Sequence, residues 1–410
     1  MPRDGLLQEV CQTHPWITFE LPEMPQAIWF DLGRVTEALR FLAGMPVLPE
    51  ERLRLHQVYL AKGALATTAI EGNTLSEEQA LQQVQGTLHL APSKTYLGQE
   101  IQNVVDACNY IGAGLLEGEL SGRVRPELIR RFNEMVLAGD IPRASEAVPG
   151  QFREYDVGVG NVYRAVPHRL VRPLTERLCG WLHEGFGAGR EEWTLGTEVL
   201  KAIVAHIYLA WIHPFGDGNG RTARLLEFYI LLAAGAPTFT AHLLSNHYNE
   251  TRARYYEELD KASGSGGDIR PFVAYAVQGL VDGLEGQIAE LQAQQMKLVF
   301  KDFVRSALHE DRGPTGQRRE MLALALAEEA KPVPRSRIPL LTPEIAAEYG
   351  PKGKTSKTVT RDLNALITRG LAVRAKEGYI ARTDEVRAYL PDRVQRATGP
   401  QGRPSRRTSH

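Results

Sequence analysis

Between His213 and Arg224 the chain reads HPFGDGNGRTAR, and nearly every side chain in that run has a use at phosphorus. An imidazole with an ordinary pKa of about 6.5 accepts a proton from a hydroxyl at neutral pH, which makes His213 a candidate general base. Gly218 and Gly220 permit positive φ and let backbone N–H groups approach a ligand with no Cβ in the way. An amphipathic pattern follows over 221–234, so the turn lies at a helix N-terminus. Free N–H groups and the positive end of the helix dipole there make a cradle for a polyphosphate. Asp217 beside it suits Mg²⁺, an ion that takes oxygen ligands and bridges phosphates. Arg221 and Arg224, three apart on one helix face, can fork onto phosphate oxygens. A base, a metal carboxylate, an anion cradle and paired guanidiniums are the parts displacement at phosphorus needs, since positioning and electrostatics carry most of that catalysis.

The same segment resembles the Fic family signature, HPFx(D/E)GNGRxxR, at every specified position. The resemblance implies a helical core in which His213 deprotonates a Ser, Thr or Tyr hydroxyl of a target protein. That hydroxyl attacks the α-phosphate of ATP, AMP is transferred and pyrophosphate leaves. It further implies that Phe215, Gly216, Gly218, Asn219, Gly220, Arg221 and Arg224 meet ATP or its phosphates. Asn219 and Gly220 line the anion hole, and Asp217 holds Mg²⁺.

Upstream, Thr67 to Asn73 (TTAIEGN) resembles the inhibitory motif of that family, (S/T)xxxE(G/N). The resemblance implies an N-terminal inhibitory helix, 50–72, whose Glu71 pairs with Arg224, and an arginine so engaged cannot hold the γ-phosphate. In some relatives the same glutamate aligns a water that removes AMP. A deAMPylase, or another nucleotidyl or phosphoryl transferase on the same site, therefore stays open as the alternative. The GNGR sequence favours AMP transfer over the phosphorylation of the Doc branch. Tyr255 and Tyr256 resemble an aromatic pair placed near the nucleotide, although Ser263 stands where some relatives carry an asparagine. Residues 150–168, with alternating Val157 and Val159 among glycines, predict a β-hairpin resembling the flap that docks a target segment as an added strand. Self-modification is an expected side reaction.

The elements that must position these groups are mainly helical. Apolar periodicity predicts helices over 50–71, from 76, over 97–116, 125–138, 194–211, 221–234, 248–262 and 269–311. The expected fold is a Fic-type helical core with a β-hairpin flap, followed by a small winged helix-turn-helix-like domain. The expected division is an N-terminal helical region at 1–90, the core at 91–311, the winged-helix-like domain at 312–390 and a disordered basic tail at 391–410. Residues 331–410 carry 17 Lys and Arg against 7 Asp and Glu, while the preceding 330 carry 31 against 42. That asymmetry suits an anionic partner for the C-terminal part, with Lys354, Lys357, Arg361 and Arg369 available for phosphates. Winged helices also dock proteins and form homodimers, and a nucleotide-sensing DNA-binding regulator is the non-enzyme alternative. Three scattered cysteines, Cys11, Cys108 and Cys179, and no run of ~18 uncharged apolar residues lead to the expectation of a cytoplasmic protein without a membrane span.

Overall fold

The computed structural model describes residues 5–46, 49–159, 163–186, 195–311, 313–349 and 356–387. The chain divides into two units, 1–288 and 289–410.

In the first unit the opening helices are α1 (Gly5–Cys11), α2 (Gln26–Gly44), α3 (Pro49–Ala69) and α4 (Glu77–Val84). Next come α5 (Thr95–Leu116), α6 (Pro126–Val136) and α7 (His168–Gly180), the last running into a π-turn at Trp181–Gly185. The centre is α8 (Leu195–Ile212), packed against α2, α7 and above all α9 (Asn219–Ala233). Val199, Leu200, Ile203, Val204 and Ile207 are fully buried. Helix α8 is long and apolar enough to cross a membrane by composition, yet it is a core helix, with Lys201 paired to Glu198 at 2.9 Å. Helices α10 (Leu243–Glu250), α11 (Arg252–Gly264) and the first part of α12 (Arg270–Ala307) complete the unit.

Local chemistry sets several of these boundaries. Helix α4 begins on a capping box, with Ser76 Oγ accepting from the Gln79 backbone N–H and Gln79 Oε1 accepting from that of Ser76. Helix α3 ends in a turn with Gly72 at φ 107°. Asn73 then ties that turn to α5, donating to Leu97 O and Glu100 Oε2, both at 2.9 Å. The helix expected over 248–262 is broken at Thr251, whose hydroxyl bonds back to His247 O at 2.6 Å while its backbone leaves helical geometry.

The expected hairpin over 150–168 is much shorter. Its ladder is confined to β1 (Gly158–Val159) and β2 (Tyr163–Arg164), and residues 160–162 lie outside the described set. Residues 150–156 make no ladder; there the Arg153 backbone N–H donates to Pro214 O and the Tyr155 carbonyl accepts from the Arg153 side chain.

The second unit contains the rest of α12, then α13 (Pro314–Ala327), α14 (Pro343–Tyr349), α15 (Ser356–Thr368) and α16 (Asp384–Arg387). Strands β3 (Ala372–Ala375) and β4 (Gly378–Ala381) form an antiparallel pair. The division falls near 288, not at the expected 311, because Phe300, Val304 and Leu308 of α12 join the core built from Leu322, Leu326, Ile338, Leu363 and Leu366. No separate unit forms at 1–90, since α3 packs on α5, α9 and α10. Arg369 is committed internally, donating to Asp311 Oδ1 at 2.8 Å and Ala307 O at 3.1 Å, so it is not a free phosphate ligand. Lys354 and the 391–410 tail lie outside the described residues.

Candidate active site

The loop joining α8 to α9 starts at His213, one of the non-glycine residues with positive φ, at 50°. That conformation costs an L-residue roughly 1–2 kcal/mol, so its surroundings must hold it. Arg153 does so. Its side chain is fully buried, and Nε donates to His213 O at 2.8 Å. The other nitrogens donate to Tyr155 O at 2.9 Å and Val166 O at 2.5 Å, and its backbone N–H to Pro214 O at 3.0 Å. The rigid guanidinium fork thus joins both ends of the flap to the loop. From α6, Asn133 donates to Asp217 O at 2.9 Å and accepts from the Gly150 N–H at 3.0 Å.

Nδ1 of His213 lies 3.3 Å from Ala210 O. A carbonyl oxygen can only accept, so Nδ1 carries the proton and Nε2 keeps its lone pair. Burial pushes the pKa of this imidazole down to about 4, helped by the nearby Arg153 charge and opposed by Ala210 O, Glu71 and Asp217. His213 is therefore neutral at pH 7 and able to take a proton.

Helix α9 begins on Gly218, which has φ 75° and whose missing Cβ would sit 3.0 Å from Asn133 Nδ2. Gly220 is helical, so its role is space, not positive φ. A Cβ there would stand 2.1 Å from Glu71 Oε1 and 3.2 Å from Arg224 Nη1. Glu71 Oε1 accepts from Arg224 Nη2 at 2.5 Å, and the same nitrogen donates to Thr67 O at 2.9 Å. The Arg224 side chain is 1% exposed and that of Glu71 36%. Desolvation works against the Glu71 carboxylate, but Arg224, aided by Arg221 and His213, holds its pKa below the usual range. Arg224 Nε and Nη1, and Arg221 Nε and Nη1, are buried with no hydrogen-bond acceptor. Arg221 instead has two carboxylates nearby, Asp217 at 3.3 Å and Glu100 at 3.6 Å.

A cavity of about 590 Å³ opens here, lined by Glu71, His213, Asn219, Gly220, Arg224, Tyr255 and Tyr256 together with Tyr163, Trp211 and Ser263. Tyr255 is nearly buried, its hydroxyl 2.9 Å from His206 Nε2, whereas Tyr256 is 44% exposed at the rim. Other sequence candidates stand behind this wall. The Phe215 side chain is buried against Phe152, with ring centroids 5.6 Å apart, and anchors the loop. Gly216 faces Tyr155, whose hydroxyl a Cβ would meet at 2.2 Å. The Asn219 side chain holds the loop, accepting from Phe215 N–H at 2.9 Å and donating to Phe215 O at 2.8 Å. Asp217 accepts from the N–H groups of Gly218 at 2.5 Å and Ala144 at 2.9 Å. No group of three or more His, Cys, Asp or Glu converges among the described residues. A single carboxylate with phosphate oxygens completing the shell is nonetheless the pattern Mg²⁺ commonly uses, so Asp217 fits that ion.

Residues 123–231 match the model of the Fic/DOC family. Protein adenylyltransferase fic-1 of Caenorhabditis elegans is 31% identical over 213 residues, 52% of this chain and 38% of the relative. Protein adenylyltransferase Fic of Nematostella vectensis is 28% identical over 267 residues, 63% of this chain and 56% of the relative. The chain thus spans less than two thirds of the length of these curated relatives. The solved structure of Fic-1 from C. elegans aligns with a TM-score of 0.52 at 25% identity, over 66% of this chain and 75% of that one. A Fic family protein from Desulfovibrio desulfuricans G20 aligns with a TM-score of 0.54 at 20% identity, over 87% and 93%, a likeness of fold. The chain carries a Fic/DOC domain, and the helical core around α8 and α9 has the Fic fold.

Proposed function

We propose that the protein transfers AMP from ATP to a hydroxyl of a protein substrate. The observation that carries this reading is a neutral His213 with a free Nε2 lone pair lining the same cavity as Gly220 and a buried Arg224 with unpaired N–H groups. The hydroxyl proton passes to His213 Nε2 as the oxygen bonds to the α-phosphorus. The bond from that phosphorus to the bridging oxygen breaks, and pyrophosphate leaves with the electron pair. Backbone N–H groups at the start of α9 and the Arg224 guanidinium offset the charge on the phosphates. Asp217 would hold Mg²⁺, which would neutralise part of the pyrophosphate charge. The adenosine end would rest against Tyr255 and Tyr256. A segment of the target would pair with the β1–β2 hairpin beside the cavity.

Glu71 opposes this chemistry. While its carboxylate holds Arg224, the γ-phosphate lacks that partner and meets a negative charge instead, so ATP sits poorly for in-line attack. The test compares wild type, Glu71→Gly and Glu71→Gly/His213→Ala with Mg²⁺ and ATP labelled at the α-phosphate. Protein-bound label only in the single variant is expected, and no label in any of the three despite measurable ATP binding would sink the proposal. A second reading, AMP removal, is favoured by one observation: the partly exposed Glu71 lines the cavity beside His213 and could orient a water. Release of AMP from premodified protein by wild type but not by Glu71→Gly would select it.

A further inference from the structure

We infer that the outward face of α15, together with Arg335, is a contact surface for duplex DNA. The argument begins with how α15 sorts its side chains. Val359, Leu363 and Leu366 are buried in the core of the second unit, whereas Lys357, Arg361 and Asn364 are exposed. The helix has a single carboxylate, Asp362, and it points inward with no exposure. There it accepts from Arg318 Nε at 2.8 Å, Arg319 Nε at 3.0 Å and Tyr349 Oη at 2.9 Å.

The consequence is an outer face carrying only positive charge. Arg335 reaches the same face, its Nη1 donating to Thr360 Oγ1 at 3.0 Å. Arg335, Lys357, Thr360, Arg361 and Asn364 line a concavity of about 390 Å³ that contains no Asp or Glu. Neither Lys357 nor Arg361 has an ion pair among the described residues. Three cations around one concavity repel one another until an anion enters, so the surface favours a polyanion.

The shape and the residue types narrow the choice. Helix α15 has 13 residues and is therefore roughly 20 Å long, a rod that the major groove of B-form DNA, about 12 Å wide, admits. Arg361 and Asn364 have the forked geometry that pairs with guanine and adenine edges, while Lys357 and Arg335 suit phosphates. A-form RNA offers a deep, narrow major groove that would not take the helix. Within the same unit, the β3–β4 hairpin exposes Arg374 and Lys376 as further backbone contacts.

The test uses the whole chain and a fluorescein-labelled, mixed-sequence DNA duplex of roughly 20 bp, two helical turns. Anisotropy titrations across a range of salt are compared for wild type and Lys357→Ala/Arg361→Ala, with matched thermal melts to confirm folding. Binding by wild type, at least tenfold weaker in the double variant, is expected. The slope of log K against log salt should fall by about 1, close to the 0.9 expected for the one lost phosphate contact, that of Lys357. No binding by wild type, equal affinity and slope for both proteins, or equal binding of an RNA duplex of the same sequence would overturn the inference. So would a double variant that changes oligomeric state but not DNA affinity, since the face would then serve protein contacts. Labelling by ATP in the Glu71→Gly background should be indifferent to these two substitutions, so a failure here and a failure of the proposed transfer reaction are separable.

Discussion

Replacing Glu71 with glycine should change how the cavity reads the far end of a nucleotide. In the resting chain Arg224 Nη2 is divided between Glu71 Oε1 at 2.5 Å and Thr67 O at 2.9 Å, with Nε and Nη1 unpaired. Loss of the carboxylate leaves a guanidinium that is 1% exposed with one backbone acceptor. A hydrogen bond to a charged group contributes about 1.5–3 kcal/mol. Because the Glu71 side chain is 36% exposed, water screens part of what is lost and gained. A gain of about 1.5–2.5 kcal/mol for a γ-phosphate is therefore expected, or roughly 10- to 70-fold in ATP affinity. AMP has no γ-phosphate and should gain little. Calorimetric titration of both nucleotides into both proteins gives the ratio that matters, since general loosening of the pocket affects ATP and AMP alike. Glu71→Gln, which keeps the shape and removes the charge, should recover most of the effect. Equal gains for ATP and AMP, or none for either, would refute the assignment of Arg224 to the terminal phosphate.

Other consequences can be checked as directly. His213 must be deprotonated to act, and its pKa of about 4 puts the acid limb of the rate well below that of an ordinary imidazole. Transfer by Glu71→Gly should thus be flat between about pH 6 and 7.5, and removing Glu71, which raises that pKa, moves the limb further to acid. A half-loss of rate near pH 6.5 would contradict the burial argument. Arg153→Ala strands the carbonyls of His213, Tyr155 and Val166, costing about 2–4 kcal/mol in thermal unfolding and abolishing labelling. Arg153→Lys should rescue little, because an ammonium cannot serve three fixed directions. Gly220→Ala should displace Glu71 without raising ATP affinity, since the new methyl would lie 3.2 Å from Arg224 Nη1 and Nη2, where the proposed function would put a phosphate. Labelling equal to that of Glu71→Gly would place that methyl outside the phosphate path.

The sequence was most readable where side-chain type alone dictates a role. His213, Asp217 and the two arginines are chemically conspicuous, and the long helices advertise themselves by their period. Glu71 was legible only jointly with Arg224, as a carboxylate with a partner 153 positions away. Arg153 was not read as a site residue, because its partners are backbone carbonyls from positions 155, 166 and 213, which look the same in any sequence. Asn133 escaped notice for the same reason. The unit boundary near 288 was hidden because α12 keeps its helical pattern straight through it. Asn219 lines the cavity with Gly220, but that its amide also bonds both backbone groups of Phe215 is not legible in the sequence, because an asparagine at a helix start can serve a ligand or its own loop.

Both arginines of the site are already met by carboxylates of the protein itself, and under the proposed function this would give the brake its strength. Arg224 answers to Glu71, while Arg221 answers to Asp217 and Glu100. Asn73, two residues beyond Glu71, donates to Glu100 Oε2 at 2.9 Å, which couples the end of α3 to the carboxylate facing Arg221. The two arginines that would meet phosphates are thus both met by carboxylates, and a single asparagine links Glu71's turn to one of them. An incoming triphosphate does not fill a vacant positive site. Under the proposed function it would have to displace a carboxylate already in place, so changes in how the α3 turn holds Glu71 should move the balance. Asn73→Ala leaves both arginines and both carboxylates untouched, so partial labelling in that variant would locate the control in the turn and not in the charge of Glu71 alone.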